Sequence, residues 1–262
     1  MDVETLQVQR QAGVVTVTFN RPERKNAASG LLWQELLGVL REVDRRRDDR
    51  VLVLTGAGGD FCSGADLGDP AGMSNDPADP HLVRMQVVSE VVLTLHHLHR
   101  PTLAKVRGVA AGAGLSLALA CDLVVAADTS RFSAIFARRG LSLDAGASWL
   151  LPRLVGLHRA KELAFFADLL GADEVAALGL VNRVVPDDEL DDLCDRWARR
   201  LAAGPPLALA MTKRLLNDSS SLTMAQALED ESRVQTVNFA TADVAEAMRA
   251  FVEKREPRFE GR

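Results

Sequence analysis

Two short stretches carry residue types suited to chemistry on a carbonyl group. The first, Phe61-Cys62-Ser63-Gly64-Ala65-Asp66-Leu67, follows an apolar run that reads as a buried strand. Gly64 has access to positive φ and Ala65 lets a ligand approach the backbone closely, so the turn can aim N–H groups at an anion. An ordinary strand-to-helix turn would use the same residues. The second, Gly108-Val109-Ala110-Ala111-Gly112-Ala113-Gly114, has no side chain larger than valine and opens a helix. A helix N-terminus offers unpaired N–H groups and a dipole that favours negative charge. Tight packing of that helix against another backbone is the alternative. The stretch is neither a dinucleotide fingerprint nor a phosphate-binding P-loop, because the G-x-G-x-x-G spacing and a following Lys-Ser/Thr pair are both missing. One N–H from each turn, converging on one oxygen, makes an oxyanion hole.

A carboxylate stands further along, at Asp144 in Gly140-Leu141-Ser142-Leu143-Asp144-Ala145-Gly146. In an apolar pocket its charged form is disfavoured and it becomes a better base. Aspartate is also a common helix N-cap, and the residues alone leave both roles open. Other candidates read as structural. His96, His97 and His99 share one helix but have no third ligand at zinc spacing, and read as solvated helix surface. Asp122 precedes a strand, Arg45-Arg46-Arg47 ends a helix, and Arg138-Arg139 suits surface pairing more than phosphate binding.

These residues need elements to position them. Thr5 to Arg10 and Val14 to Phe19 alternate as two strands around an Ala12-Gly13 turn. Ser29 is placed to cap a helix reaching Arg46, with Leu32, Leu36, Val39, Leu40 and Val43 as its apolar stripe. Val51 to Thr55 reads as a buried strand. Gly68 to Pro80, rich in Gly, Pro, Asp and Ser, reads as a mobile surface loop. A helix from about Leu82 to His99, a strand at Thr102 to Val106, a helix opening at Leu115 and a strand at Leu123 to Ala126 follow. Beyond Ala145 the periodicity is helical, broken at Gly156, Gly171, Gly179, Pro186 and Gly204-Pro205-Pro206, with Val184-Val185 the one late strand signal. The expectation is an α/β chain with recurring strand-turn-helix units over residues 1–190 and a helical region over 191–262.

Composition narrows the function classes. The chain has 262 residues, 47% hydrophobic and 26% charged, with a formal net charge of −5. That excludes a disordered chain, which needs low hydrophobicity and high net charge. Thirty-one basic residues against 36 acidic ones, 5% aromatics and no tyrosine argue against nucleic-acid binding. The longest apolar run, Gly108 to Cys121, is too short for the roughly 20 residues of a membrane span. The polar, acidic start is unlike a secretory leader. Three well-separated cysteines, Cys62, Cys121 and Cys194, suggest neither a disulfide framework nor a zinc site. A reduced, cytoplasmic protein is expected.

Taken together, the motifs resemble the crotonase superfamily, the enoyl-CoA hydratase/isomerase family. The likeness rests on Asn20-Arg21-Pro22 with Asn26-Ala27, FCSGADL at 61–67 and RPTLAKVRGVAAGAGLSLALACDLVVA at 100–126. It continues through Phe132, Gly140-Leu141, Leu151-Pro152-Arg153, Ala177-Leu178-Gly179-Leu180-Val181 and Phe251-Val252-Glu253-Lys254-Arg255. The resemblance implies strand-strand-helix turns wound into a superhelix, with C-terminal helices mediating a trimer or a dimer of trimers. It implies an acyl-CoA thioester substrate whose oxygen is held by the N–H groups of Ala65 and Ala113. Ala65-Asp66-Leu67-Gly68 would line the CoA channel, and Phe251 and Lys254 would help hold the nucleotide end near a subunit boundary. No cofactor or metal is implied beyond the coenzyme A of the substrate.

Hydratases of this family carry two glutamates that activate and deliver water. By motif position Ser116 and Phe136 stand there instead, and neither exchanges protons near neutral pH as a carboxylate does. In several isomerases and in 4-chlorobenzoyl-CoA dehalogenases an aspartate at the Asp144 position is catalytic. The motifs also resemble the ring-opening 1,2-epoxyphenylacetyl-CoA isomerase group, which shares GVAAGAG, the Gly-Leu-x-x-Asp spacing, the run Trp149 to Arg153 and the Lys254-to-Gly261 ending. The expectation is double-bond migration or ring rearrangement through a thioester enolate. A hydratase-like protein with weak or no hydration, or a non-catalytic acyl-CoA-binding protein, are the alternatives.

Overall fold

The computed structural model describes residues 3–69 and 81–262. The loop expected from Gly68 to Pro80 lies outside them except for its first two residues. A hairpin opens the chain, with β1 (Leu6–Gln11) antiparallel to β2 (Val14–Phe19). Its turn residues Ala12 and Gly13 have φ of 49° and 82°, the two positive values that match a two-residue turn to the strands' right-handed twist. Val15, Val17 and Phe19 are fully buried, as period-two alternation requires.

Helix α1 (Gly30–Arg45) begins where the Leu32 N–H donates to the Ser29 hydroxyl oxygen at 3.2 Å. Leu32, Leu36, Val39, Leu40 and Val43 are all buried, each contributing about 1.5–3 kcal/mol. Glu35 is buried on the same helix, and its carboxylate accepts the N–H groups of Glu4 and Thr5 and the Thr5 hydroxyl. Burial alone would raise that carboxyl, but these bonds outweigh it and hold it below its usual range. They fix α1 against the start of β1.

The chain continues through β3 (Val51–Gly56), α2 (His81–His97), β4 (Thr102–Val106), β5 (Val109–Ala111) and α3 (Ala113–Ala120). Then come β6 (Leu123–Ala127), β7 (Arg131–Ser133), α4 (Ala147–Phe166), β8 (Leu170–Gly171), α5 (Ala172–Ala177) and β9 (Arg183–Val185). Helices α6 (Leu190–Ala202), α7 (Pro206–Asp218), α8 (Met224–Phe239) and α9 (Ala242–Glu253) complete it. Six strands form one sheet in the order β1-β2-β3-β4-β6-β9, parallel from β2 onward. A second sheet has the order β5-β7-β8, and isolated bridges join Cys62 to Ala110 and Ala28 to Ala65. Each turn of the spiral therefore sends a long strand through the large sheet, then a short pairing segment through a second layer, then a helix. The recurring strand-turn-helix units expected from the sequence are these turns.

Three expectations need correction. Val109–Ala111 is a strand rather than part of a turn, and β7 and β8 were not foreseen. Segments of two or three residues are too short to show alternation, and their partners lie far away in the chain. Helix α6 buries Leu190, Cys194 and Ala198 against Val51, Val53, Leu103, Val125 and Ala127 of the large sheet. The first helix after Leu190 thus packs with the core, and the less buried arm starts at α7. That arm buries no residue of α7, only Val234 of α8, and Asp243 and Ala250 of α9. The break expected at Gly156 is present, with φ 75° and ψ 162° inside α4. No described helix is long and apolar enough to cross a membrane.

Candidate active site

The two small-residue turns occupy successive layers of the spiral, and the glycines explain how closely they approach. A Cβ on Gly114 would lie 2.1 Å from the Cys62 carbonyl oxygen, and one on Gly64 (φ 107°) would lie 3.0 Å from that of Ala111 and 3.7 Å from the Ala113 nitrogen. Cys62 bonds to the strand on either side of Ala110 across this contact: the Cys62 N–H donates to the Val109 carbonyl and the Ala111 N–H to the Cys62 carbonyl, at 2.9 and 3.0 Å. The tight-packing reading of the Gly108–Gly114 stretch therefore holds, and that packing is what brings the turns together. A Gly114→Ala exchange forces backbone apart, an overpacking cost of about 1–3 kcal/mol. The expected result is a thermal midpoint lower by about 2–10 °C. An unchanged melt by circular dichroism would contradict the close approach.

The backbone donors follow from this geometry. The bridge to Ala28 uses the Gly64 carbonyl and the Asp66 N–H, so the Ala65 N–H points away from Ala28. Ala113 is the first residue of α3, where an N–H has no intrahelical acceptor. Neither N–H donates to a protein acceptor among the described residues. Ala65 and Ala113 both line a cavity of about 400 Å³ together with Asp144, Leu31, Trp33, Met85 and Val88. A contiguous opening of about 290 Å³ shares Ala65, Ala113 and Asp144 and adds Gly64, Phe136 and Arg139.

Among the described residues, Asp66 and Asp144 are the carboxylates that line both openings with Ala65 and Ala113, and Asp144 is the one without a cationic partner. Its Oδ1 is buried without a hydrogen-bond partner, and burial pushes its carboxyl above the usual range. The N-cap alternative is not what the structure shows. The cap of α4 is Gly146 at φ 83°, with no side-chain capping bond, and it is the backbone carbonyl of Asp144 that accepts the Ala147 N–H.

Asp66 behaves differently. Burial would raise its carboxyl, but bonds from Arg21 and the Gly68 N–H and the charges of Arg21 and Arg24 hold it below its usual range. The Arg21 contact is 2.8 Å, and the same guanidinium donates to the Ala27 carbonyl. Asp66 and Gly68 thus brace the turn, while half-exposed Leu67 lines both openings. Buried Asn26 donates to the Ala57 and Asp60 carbonyls, and Asp60 accepts the Val109 N–H at 2.9 Å. Arg21, Asn26 and Asp60 therefore set the two turns in place. Their signal in the sequence was the Asn20-Arg21-Pro22…Asn26 motif, which names no partner.

Ser116 is fully buried within α3 and Phe136 is buried beside the smaller opening. Phe251 is 83% exposed on α9, and Lys254 ends that helix with φ 54°; neither lines the cavities that hold Ala65 and Ala113. Arg138 pairs with Asp168 at 2.8 Å, whereas Arg139 lines the smaller opening. Asp122 accepts from Thr102 and pairs with Lys213 at 2.9 Å, a structural role. His99 pairs with Asp44, and His96 packs edge-on against Trp149 instead of facing solvent. No group of three His, Cys, Asp or Glu among the described residues is placed to hold a metal. Burial pushes the Cys62 thiol up to about 11, so it stays protonated at neutral pH.

Known proteins share this architecture. The family model for enoyl-CoA hydratase/isomerase matches residues 9–262. The chain is 38% identical over 262 residues to a Rhodobacter capsulatus protein described as a probable enoyl-CoA hydratase, spanning 100% of both. It is 38% identical over 253 residues to the 1,2-epoxyphenylacetyl-CoA isomerase of Escherichia coli K12, covering 96% of this chain and 97% of that one. The crystal structure of an enoyl-CoA hydratase from Bacillus anthracis is similar with a TM-score of 0.93 at 30% identity, over 99% of this chain and 100% of that one. A spiral of this kind is a crotonase fold, and the chain belongs to the enoyl-CoA hydratase/isomerase family.

Proposed function

We propose that this protein is an acyl-CoA isomerase, which moves a double bond or rearranges a ring through a thioester enolate and adds no water. The observation that carries this reading is the partnerless, buried Asp144 oxygen in the cavity that Ala65 and Ala113 also line. The thioester oxygen accepts the Ala65 and Ala113 N–H groups. Asp144 removes a proton from the carbon next to the thioester, and the charge moves onto that oxygen, where preorganised donors are most effective. The proton returns two bonds further along, and a 3-enoyl thioester becomes the conjugated 2-enoyl isomer. Neither a metal nor a nicotinamide enters this route. The acyl group lies against Leu31, Trp33, Met85 and Val88, and Ala65-Asp66-Leu67-Gly68 flank the pantetheine arm. The likeness to an isomerase acting on 1,2-epoxyphenylacetyl-CoA supports this reading, as does the absence of carboxylates at 116 and 136.

The test is product identity. The enzyme is given trans-3-hexenoyl-CoA, 1,2-epoxyphenylacetyl-CoA and crotonyl-CoA, and products are separated by liquid chromatography. Turnover of one of the first two without any hydroxyacyl product is expected. Crotonyl-CoA hydration faster than either isomerisation, or tight binding with no turnover, would overturn the proposal.

The same reading includes assembly as a trimer or a dimer of trimers. Phe239, Met248, Phe251 and Val252 are 72%, 61%, 83% and 79% exposed, a density of apolar side chains that marks an interaction surface. Phe251 and Lys254 then serve a CoA bound across a subunit boundary. Light scattering at micromolar concentration is expected to give three or six times the 28.3 kDa chain mass. A monomer would contradict it.

A further inference from the structure

Ser116 makes a contact that its helix does not require. A mid-helix serine commonly donates to the carbonyl four residues back, and the Ser116 Oγ does lie 3.3 Å from the Gly112 carbonyl oxygen. It lies equally close, 3.3 Å, to the carbonyl oxygen of Asp144, 28 residues away. The side chain is fully buried.

These two carbonyls are not arbitrary. The Gly112 carbonyl belongs to the same planar peptide group as the Ala113 N–H, and the two point in opposite directions across it. A hydroxyl on the carbonyl side fixes the tilt of that plane, and donation to the oxygen polarises the N–H opposite. The Asp144 carbonyl belongs to the residue with the partnerless carboxylate. One hydroxyl thus touches both the peptide that presents an oxyanion donor and the backbone that presents the base.

We infer that Ser116 is a positioning residue, which holds the Gly112–Ala113 peptide and the Asp144 backbone in one register. The inference rests on the roles proposed above for Ala113 and Asp144. Ser116 touches no substrate in this scheme; it acts through the two groups that do. Its effect is separable from stability, because neither carbonyl is orphaned without it. Gly112 still accepts the Ser116 N–H at 3.1 Å and Asp144 still accepts the Ala147 N–H at 3.0 Å. Alanine, the best helix former, therefore removes the link with little cost to folding.

The experiment uses the ultraviolet band of cinnamoyl-CoA, which moves to longer wavelength when its thioester carbonyl is polarised. Wild type, Ser116→Ala and Ser116→Cys are titrated with this thioester, and isomerase kinetics are measured alongside. The expected result is a clear red shift with wild type and a much smaller one with Ser116→Ala. Dissociation constants should agree within about twofold and melting midpoints within a few degrees. Turnover number falls about 10-fold with KM nearly constant, since small misplacements of reacting groups are costly. Ser116→Cys, which keeps a weaker donor at the same place, falls between and supplies the comparison if the alanine variant fails to fold. Equal shifts and turnover numbers for wild type and the variants would overturn the Ser116 role while leaving the Ala65 and Ala113 assignment intact. No shift even with wild type would overturn that assignment, and the inference with it.

Discussion

Replacing Asp144 with asparagine is expected to lower isomerase turnover about 10²-fold or more, with little change in acyl-CoA affinity. Asparagine keeps the size and polarity of the side chain and removes only its capacity to take a proton. If the residue were a helix cap, the exchange would be nearly silent, since asparagine caps as well as aspartate. The geometry excludes that role, because Gly146 occupies the cap position and the Asp144 Oδ1 accepts nothing. The stability effect has a definite sign. Burial raises the folded-state pKa of Asp144 above its unfolded value, so the folded protein binds this proton more readily than the unfolded chain. Stability associated with the group is greatest below the unfolded pKa and is lost as pH rises through the folded one. At neutral pH the asparagine variant should melt at the same temperature or slightly higher. Wild-type turnover should rise with pH as the carboxyl ionises, with a midpoint above the ordinary aspartate range. An early melt would instead identify a structural ion, and full activity would remove Asp144 from the mechanism.

Hydration of crotonyl-CoA is expected to be about 10²–10⁴-fold slower than in a hydratase that carries both glutamates, the cost of losing a positioned acid or base. Addition of water across a double bond needs one group to deprotonate the water and one to protonate the carbon. Ser116 is sealed within α3, and Phe136 is buried beside the smaller opening. Asp144 is a single carboxylate and supplies one proton relay, enough for a proton to leave one carbon and return to another. An assay at saturating crotonyl-CoA that matched a two-glutamate hydratase would contradict this division of labour.

Much of this scaffold was legible in the chain because local chemistry dictated it. The Ala12-Gly13 turn, the Ser29 cap and the stripe from Leu32 to Val43 each follow from residue type and spacing, and each is found. The two turns at 61–67 and 108–114 were legible as glycine-containing breaks after strands. The contacts that decide their use were not. Arg21 meets Asp66 across 45 residues and Ser116 meets Asp144 across 28, and nothing in local periodicity reports a partner at such distance. Leu31, Trp33, Met85 and Val88 carry no local signal of a site, and the fold turns them into a cavity wall. His96 read as surface because helical spacing alone does not reveal the Trp149 ring laid across it. Asp144 was the sharpest ambiguity. Its role depends on where α4 begins, and Gly146 at φ 83° moves that start beyond the carboxylate's reach.

The central claim is that Asp144 moves a proton at the carbon next to the thioester without addition of water. Nuclear magnetic resonance of trans-3-hexenoyl-CoA in deuterium oxide, with wild type and Asp144→Asn in parallel, tests it most directly. With wild type, deuterium should enter the carbon next to the thioester and the conjugated 2-enoyl isomer should form, with no hydroxyacyl signal; both processes should be slowed about 10²-fold or more by the substitution. Accumulation of a 3-hydroxyacyl thioester with wild type, or exchange at the wild-type rate in Asp144→Asn, would contradict it.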